Sequence, residues 1–184
     1  KLFSGRAHPE LTNEVAEFLG VQPGQARLKR FADTEVSFQI DENIRGTDVF
    51  VIQPTCAPVD PHLMELMIMV DAFRRSSAAR ITAVIPYLCY GRTDKKDQPR
   101  VPITARLVAD MIEIAGADRY VTFDPHAGQV QGFFSIPGDI LSAFRLITNH
   151  INKKLKPKMH DPVVVSVDLG FAKKGRNFAA SIDA

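Results

Sequence analysis

The chain has 184 residues, 45% hydrophobic and 24% charged, the balance of an ordinary globular protein. Its formal net charge of +2 implies no general polyanion binding, so nucleic acid is not an expected partner. No run approaches the roughly 20 apolar residues of a membrane span, and no signal peptide is visible. Cys56 and Cys89 lie far apart without metal-ligand spacing, so buried free thiols in a reducing, cytoplasmic setting are expected.

The length suits one domain, or one domain and the start of another. Leu2-Phe3-Ser4-Gly5 reads as a first strand ending in a Gly turn. Pro9 opens a helix to about Leu19, with Leu11, Val15, Phe18 and Leu19 on one face and Gly20 as the stop. Arg27–Phe31 and Val36–Ile40 alternate apolar and polar residues about Ala32-Asp33-Thr34-Glu35, the period of an antiparallel hairpin. Asp48–Gln53 is a continuous apolar run, as expected of a parallel strand covered on both faces. Pro61 starts a helix through Leu63, Leu66, Met67, Val70 and Phe73 that closes in Arg74-Arg75. Ile81–Ile85 is a further buried strand, and Ile103–Ala115 an amphipathic helix stopped by Gly116.

Tyr120–Asp139 then gives a short strand, with Val121 and Phe123 pointing one way, that stops at Asp124-Pro125-His126. Turns follow at a Gly-bearing segment and at Pro137-Gly138-Asp139. A helix is expected over about Ile140–Lys153, a strand from Val163-Val164-Val165 and a last helix over Ala172–Ile182. Alternating strands and helices argue a doubly wound, mostly parallel α/β sheet with one antiparallel hairpin. Lys153–Pro162, with two prolines and no apolar period, is the expected boundary. It divides an α/β domain over residues 1–152 from residues 163–184, read as the first strand and helix of an incomplete second domain. Eight basic residues against two acids between Arg145 and Arg176 fit a solvated helix end.

Three strand ends collect the polar residues that could carry chemistry. Arg92, Lys95, Lys96 and Arg100 lie near Tyr90, a mixture suited to phosphate and a stacked base as well as to an exposed, self-neutralising loop. Asp124-Pro125-His126 places an acid and an imidazole where an open α/β sheet binds ligands. Ser166-Val167-Asp168 repeats the acid after an apolar run, so His126 and Asp168 are candidates to face one crevice. A hard cation such as Mg²⁺ prefers oxygen and keeps waters, which suits Asp168 more easily than His126. Gly170–Asn177 nearly has P-loop spacing, but Arg176 and Asn177 replace its Lys and Ser/Thr, so a P-loop is rejected.

Segments at these loops and along the whole chain resemble the ribose-phosphate diphosphokinase, or phosphoribosyl pyrophosphate synthetase, family. They include R-F-A-D-T-E-V (30–36), N-I-R-G-T-D-V (43–49), R-I-T-A-V-I-P-Y (80–87), R-V-P-I-T-A-R-L-V-A-D (100–110) and the stretch Tyr120–Asp139. The resemblance implies a phosphoribosyltransferase-like fold and nucleotide biosynthesis, with diphosphate passing from Mg-ATP to the C1 hydroxyl of ribose 5-phosphate. By the same resemblance, Asp33, Thr34 and Glu35 on the hairpin would hold nucleotide across a subunit interface of a homo-oligomer. Arg92 and Thr93 would meet ATP, and His126 and Asp168 would be the metal-linked positions, His126 also catalytic.

Thr93 stands where the family usually has Gln, Val167 where it has Pro, and Phe171 where it has Gly. Pro125 and Gly138 each replace an aliphatic residue. Family members continue into a second domain that carries the ribose 5-phosphate loops, which these residues lack. Two further readings stand beside the enzyme: a non-catalytic regulatory subunit of the synthetase, and a phosphoribosyltransferase, which shares the fold class.

Overall fold

A computed structural model describes all residues from Lys1 to Ala184. They form two compact units, Lys1–Leu141 and Ser142–Ala184.

The first unit is built on β1 (Leu2–Ser4), α1 (Pro9–Leu19), β2 (Ala26–Arg30), β3 (Val36–Ile40), β4 (Asp48–Ile52), α2 (Val59–Arg75), β5 (Arg80–Ile85), α3 (Thr104–Ala115), β6 (Arg119–Phe123) and β7 (Gly138–Leu141). Five strands pair in the order β1-β4-β5-β6-β7, every pairing parallel. β2 and β3 form a separate antiparallel hairpin. Because a parallel sheet is buried on both faces, its strands read as apolar runs. Phe3, Val49, Val51, Ile81, Ala83, Ile85 and Tyr120 lie in one core with Leu66, Met69, Val70 and Phe73 of α2 and Val108, Ala109 and Ile112 of α3. Leu2 and Ile52, alternating with those residues along their strands, join Ala16, Leu11 and Val15 of α1 in a second core. Helices therefore cover both faces, as the alternating pattern implies.

The hairpin is fastened to α2 by aromatic contact. The rings of Phe38 and Phe73 meet edge to face at 5.4 Å, and Phe73 in turn meets Phe3 at 4.8 Å. Phe73 is thus the link between sheet and hairpin.

α1 begins as its composition dictates. Pro9 occupies the first turn, the His8 ring accepts the Leu11 N–H at 3.1 Å, and Gly20 closes the helix at φ 66°. Its core face differs from the expectation: Thr12 and Ala16 are buried, while Phe18 and Leu19 are 90% and 60% exposed. The face that packs on Leu2 and Ile52 is made by Leu11, Val15 and Ala16, which leaves Phe18 and Leu19 outside it.

β7 was expected to be a turn leading into a helix. Gly138 instead pairs with Tyr120 and Leu141 with Phe123. An alanine Cβ at 138 would lie 2.0 Å from the Tyr120 ring, which stacks on Phe134 at 3.8 Å. Gly138 is therefore the surface on which that ring lies flat.

The second unit contains α4 (Phe144–His150), one π-helical turn (Ile151–Leu155) and α5 (Ala172–Ile182). Phe144 and Phe178 meet edge to face at 5.7 Å, and the Asn152 amide donates to the Ser181 carbonyl at 3.0 Å. α5 falls where expected, and the helix expected over Ile140–Lys153 begins only at Phe144 and runs on through the π-helical turn. The strand expected at Val163–Val165 is not formed. Its side chains Val163 and Val165 are 80% and 82% exposed, and nothing in this unit pairs with it. A strand needs a partner for its backbone hydrogen bonds, and this unit holds none.

Candidate functional site

The carboxyl ends of β4, β5 and β6 lie side by side, and the loops that leave them are tied together from within. Thr55, just past β4, donates its N–H to the Tyr87 carbonyl at 2.9 Å and its hydroxyl to the same oxygen at 2.7 Å. Its hydroxyl oxygen also accepts the Cys89 N–H at 2.9 Å. This buried threonine fixes the path of the loop after β5.

That loop turns sharply at Tyr90, whose φ is 56°. The Tyr90 hydroxyl donates to Asp60 near the start of α2, a hydrogen bond that holds the phenol above its ordinary range. The Thr93 N–H returns to the Tyr90 carbonyl at 3.2 Å, and the Thr93 carbonyl accepts the Ala105 N–H at 3.1 Å. Arg92 is therefore carried on a loop pinned at both ends.

Gly91 is where the β5 loop meets the β6 loop. A Cβ there would lie 3.2 Å from the His126 Cβ and 3.8 Å from its backbone nitrogen. A side chain at this position would press on His126, so glycine lets the two loops pass closely without displacing it. The Gln129 amide, just beyond His126, adds a second tie by donating to Asp94. The loop that carries Arg92 and Thr93 therefore meets the His126 loop at Gly91. Arg92 and His126 are both exposed, and no ion pair or side-chain hydrogen bond occupies either. A guanidinium without a salt-bridge partner, on a loop that meets the His126 loop at the carboxyl rim of a parallel sheet, is suited to phosphate oxygens.

Asp33, Thr34 and Glu35 form the exposed tip of the β2–β3 hairpin. Asp33 accepts the Glu35 N–H at 3.1 Å, Phe31 donates to the Glu35 carbonyl at 2.9 Å, and Thr34 has a φ of 75°. No hydrogen bond joins this tip to Arg92 or His126. Asp168 belongs to the other unit, where its carboxylate accepts the Phe171 N–H at 2.8 Å at the entrance to α5. No three His, Cys, Asp or Glu side chains come together as a metal cage. No helix is long and apolar enough to cross a membrane.

Two polar residues that the sequence reading passed over are buried at the same end of the sheet. Gln53 and Glu65 are 0% and 1% exposed. Gln53 Nε2 donates to Glu65 Oε2 and to the His62 carbonyl, both at 3.1 Å, and its Oε1 accepts the Ala7 N–H at 3.2 Å. The one available signal was an acid within the apolar run Leu63–Val70.

A parallel sheet with helices on both faces and loops gathered at its carboxyl rim defines an α/β protein. Comparison with known families narrows it. Residues 1–116 match the N-terminal domain of ribose phosphate pyrophosphokinase, and the chain belongs to that family. It is 50% identical over 179 residues to a ribose-phosphate pyrophosphokinase of Wolinella succinogenes, covering 97% of this chain and 57% of that protein. The corresponding protein of Clostridium perfringens is 49% identical, with all of this chain and 58% of the relative covered. A crystal structure of phosphoribosylpyrophosphate synthetase from Mycobacterium smegmatis superposes with a TM-score of 0.91 at 46% identity, over 98% of this chain and 60% of that one. The chain thus spans less than two thirds of the length of these relatives.

Proposed function

We propose that this chain is the nucleotide-binding part of a ribose-phosphate diphosphokinase, a transferase that moves diphosphate from ATP to the C1 hydroxyl of ribose 5-phosphate. The new bond joins the sugar oxygen to the β-phosphorus, the bond between the α,β-bridging oxygen and that phosphorus breaks, and AMP leaves with the bridging oxygen. The observation that supports the reading is the Gly91 contact, at which the loop bearing Arg92 meets the loop bearing His126 in a chain of this family. Phosphoryl transfer is mostly positioning and charge neutralisation, so an unpaired guanidinium and an imidazole on pinned loops are suitable parts.

In this reading Arg92 donates to the triphosphate, and Thr93 contributes a hydroxyl where the family usually has an amide. His126 orients the transferring end. Asp33, Thr34 and Glu35 serve a neighbouring subunit's nucleotide in a homo-oligomer. With no protein cage available, magnesium would arrive on the triphosphate and supply neutralisation of phosphate charge, and His126 and Asp168 are each candidates to meet it directly or through water. Residues 163–184 are read as the opening of a second α/β domain, and the setting as cytoplasmic, with no nucleic-acid or membrane partner.

Titration of the chain with Mg-ATP by calorimetry tests this reading. Arg92→Ala should weaken binding by about 1.5–3 kcal/mol, the range for a charge-assisted hydrogen bond. An unchanged dissociation constant would count against Arg92. Thr93 and Phe171 favour one second reading, a regulatory subunit that assembles with active partners. AMP release from ATP and ribose 5-phosphate by the pure protein would remove it.

A further inference from the structure

The buried carboxylate of Glu65 does more than fill the core. Five N–H donors point at its two oxygens: Arg6 Nε at 2.9 Å, Arg6 Nη2, the Arg6 backbone N–H at 3.4 Å, Arg30 Nη2 at 3.2 Å and Gln53 Nε2 at 3.1 Å. No donor is needed from Glu65 itself, so an acceptor-only carboxylate is the fitting group, and a carboxamide would turn N–H against N–H. Gly5 makes room for the arrangement, because a Cβ there would lie 2.0 Å from Gln53 Oε1. The carboxylate is thus fixed by the ends of β1 and β4.

From this fixed point one arm reaches outward. Arg30 is the last residue of β2, and its other terminal nitrogen, Nη1, donates to the Thr34 carbonyl at 2.7 Å. Thr34 has a φ of 75°, a left-handed backbone that a β-branched residue adopts only when its surroundings impose it. The neighbours so aimed are Asp33 and Glu35. The body of the hairpin has its own anchor in Phe38 and Phe73, so the guanidinium acts on the tip.

We propose that Glu65 is a positioning residue which, through Arg30, sets the conformation of the hairpin tip and thereby the nucleotide affinity that the tip confers. The affinity half rests on the function proposed above, while the conformational half stands on the hydrogen bonds alone.

The test reads the two halves separately. Arg30→Met keeps the apolar stem and leaves Glu65 its Arg6 and Gln53 donors, so the core survives. Arg27→Met on the same strand removes only the exposed pair with Asp41 and serves as the control. Amide NMR signals of residues 33–35 are recorded in the nucleotide-free chain, and Mg-ATP affinity by calorimetry. Arg30→Met should shift the tip amides toward random-coil positions and weaken Mg-ATP roughly tenfold, with neither change in Arg27→Met. Tip amides that stay in place in Arg30→Met would overturn the proposal. Tip amides that move while affinity holds would support the positioning and remove the hairpin from nucleotide binding. A wild-type chain that binds no Mg-ATP would strike the nucleotide reading, and the amide signals would still decide the positioning.

Discussion

Gly138→Ala is the sharpest probe of how β7 is held. The added Cβ would lie 2.0 Å from both Cε1 and Cζ of Tyr120, where carbon atoms ordinarily rest about 3.5–4.0 Å apart. The ring must therefore retreat by roughly 1.5–2 Å. It has nowhere ready to go, since Tyr120 is 2% exposed and already stacked on Phe134 at 3.8 Å. Overpacking of this kind costs about 1–3 kcal/mol, and the lost aromatic pair adds about 0.5–1.5. Replacing glycine in a strand returns about 0.5–1 kcal/mol of chain entropy. The net expectation is a loss of roughly 1–3 kcal/mol. Urea denaturation followed by circular dichroism measures it, and in a Tyr120→Leu background the same substitution should cost less than about 1 kcal/mol, because the ring is gone. A Gly138→Ala protein within about 0.5 kcal/mol of the parent would refute the reasoning.

Phe73→Ala should cost about 3–5 kcal/mol and raise amide exchange in β2 and β3 ahead of the sheet, because that ring joins the two. Burial pushes the Cys89 thiol up, so Cys89 should react with iodoacetamide at least about tenfold more slowly than the less buried Cys56, as peptide mapping would show. Burial, and then the nearby Asp139, also push the Tyr120 phenol up. A raised folded value means stability fully present below the ordinary tyrosine range and lost as pH climbs through it, so Tyr120→Phe should flatten the decline above about pH 10. Tyr90, held up by its hydrogen bond to Asp60, leaves a residual slope that Tyr90→Phe removes.

The parts of the fold legible in the chain were those with a period. The alternation Val36-Phe38-Ile40 located β3 to the residue, and the unbroken apolar run beginning at Asp48 located β4. α5 also falls on the residues expected, Ala172–Ile182. What failed had been decided by neighbours. Gly138 reads as a turn until a parallel strand supplies its partner and a tyrosine ring supplies its reason. Val163–Val165 reads as a strand from β-branched composition, yet composition cannot furnish a second strand to bond with.

The candidate site divides in the same way. Arg92 and His126 could be suspected from their positions at strand ends. The meeting of their two loops falls at Gly91, whose meaning lies in an atom it lacks. Gln53 and Glu65 gave little warning, because a buried polar network is a property of four elements meeting, β1, β2, β4 and α2, not of any one.

Val163 and Val165, and Val167 and Leu169 in the bend that follows, point their side chains into water, the last two 95% exposed. Their backbone amides have water for company where a ladder could form. Such a stretch, uncharged between Pro162 and Asp168, is the kind along which separate molecules zip together. Concentrated solutions of this chain should cloud by contact through that ribbon, and a lysine at Val165 should keep them clear.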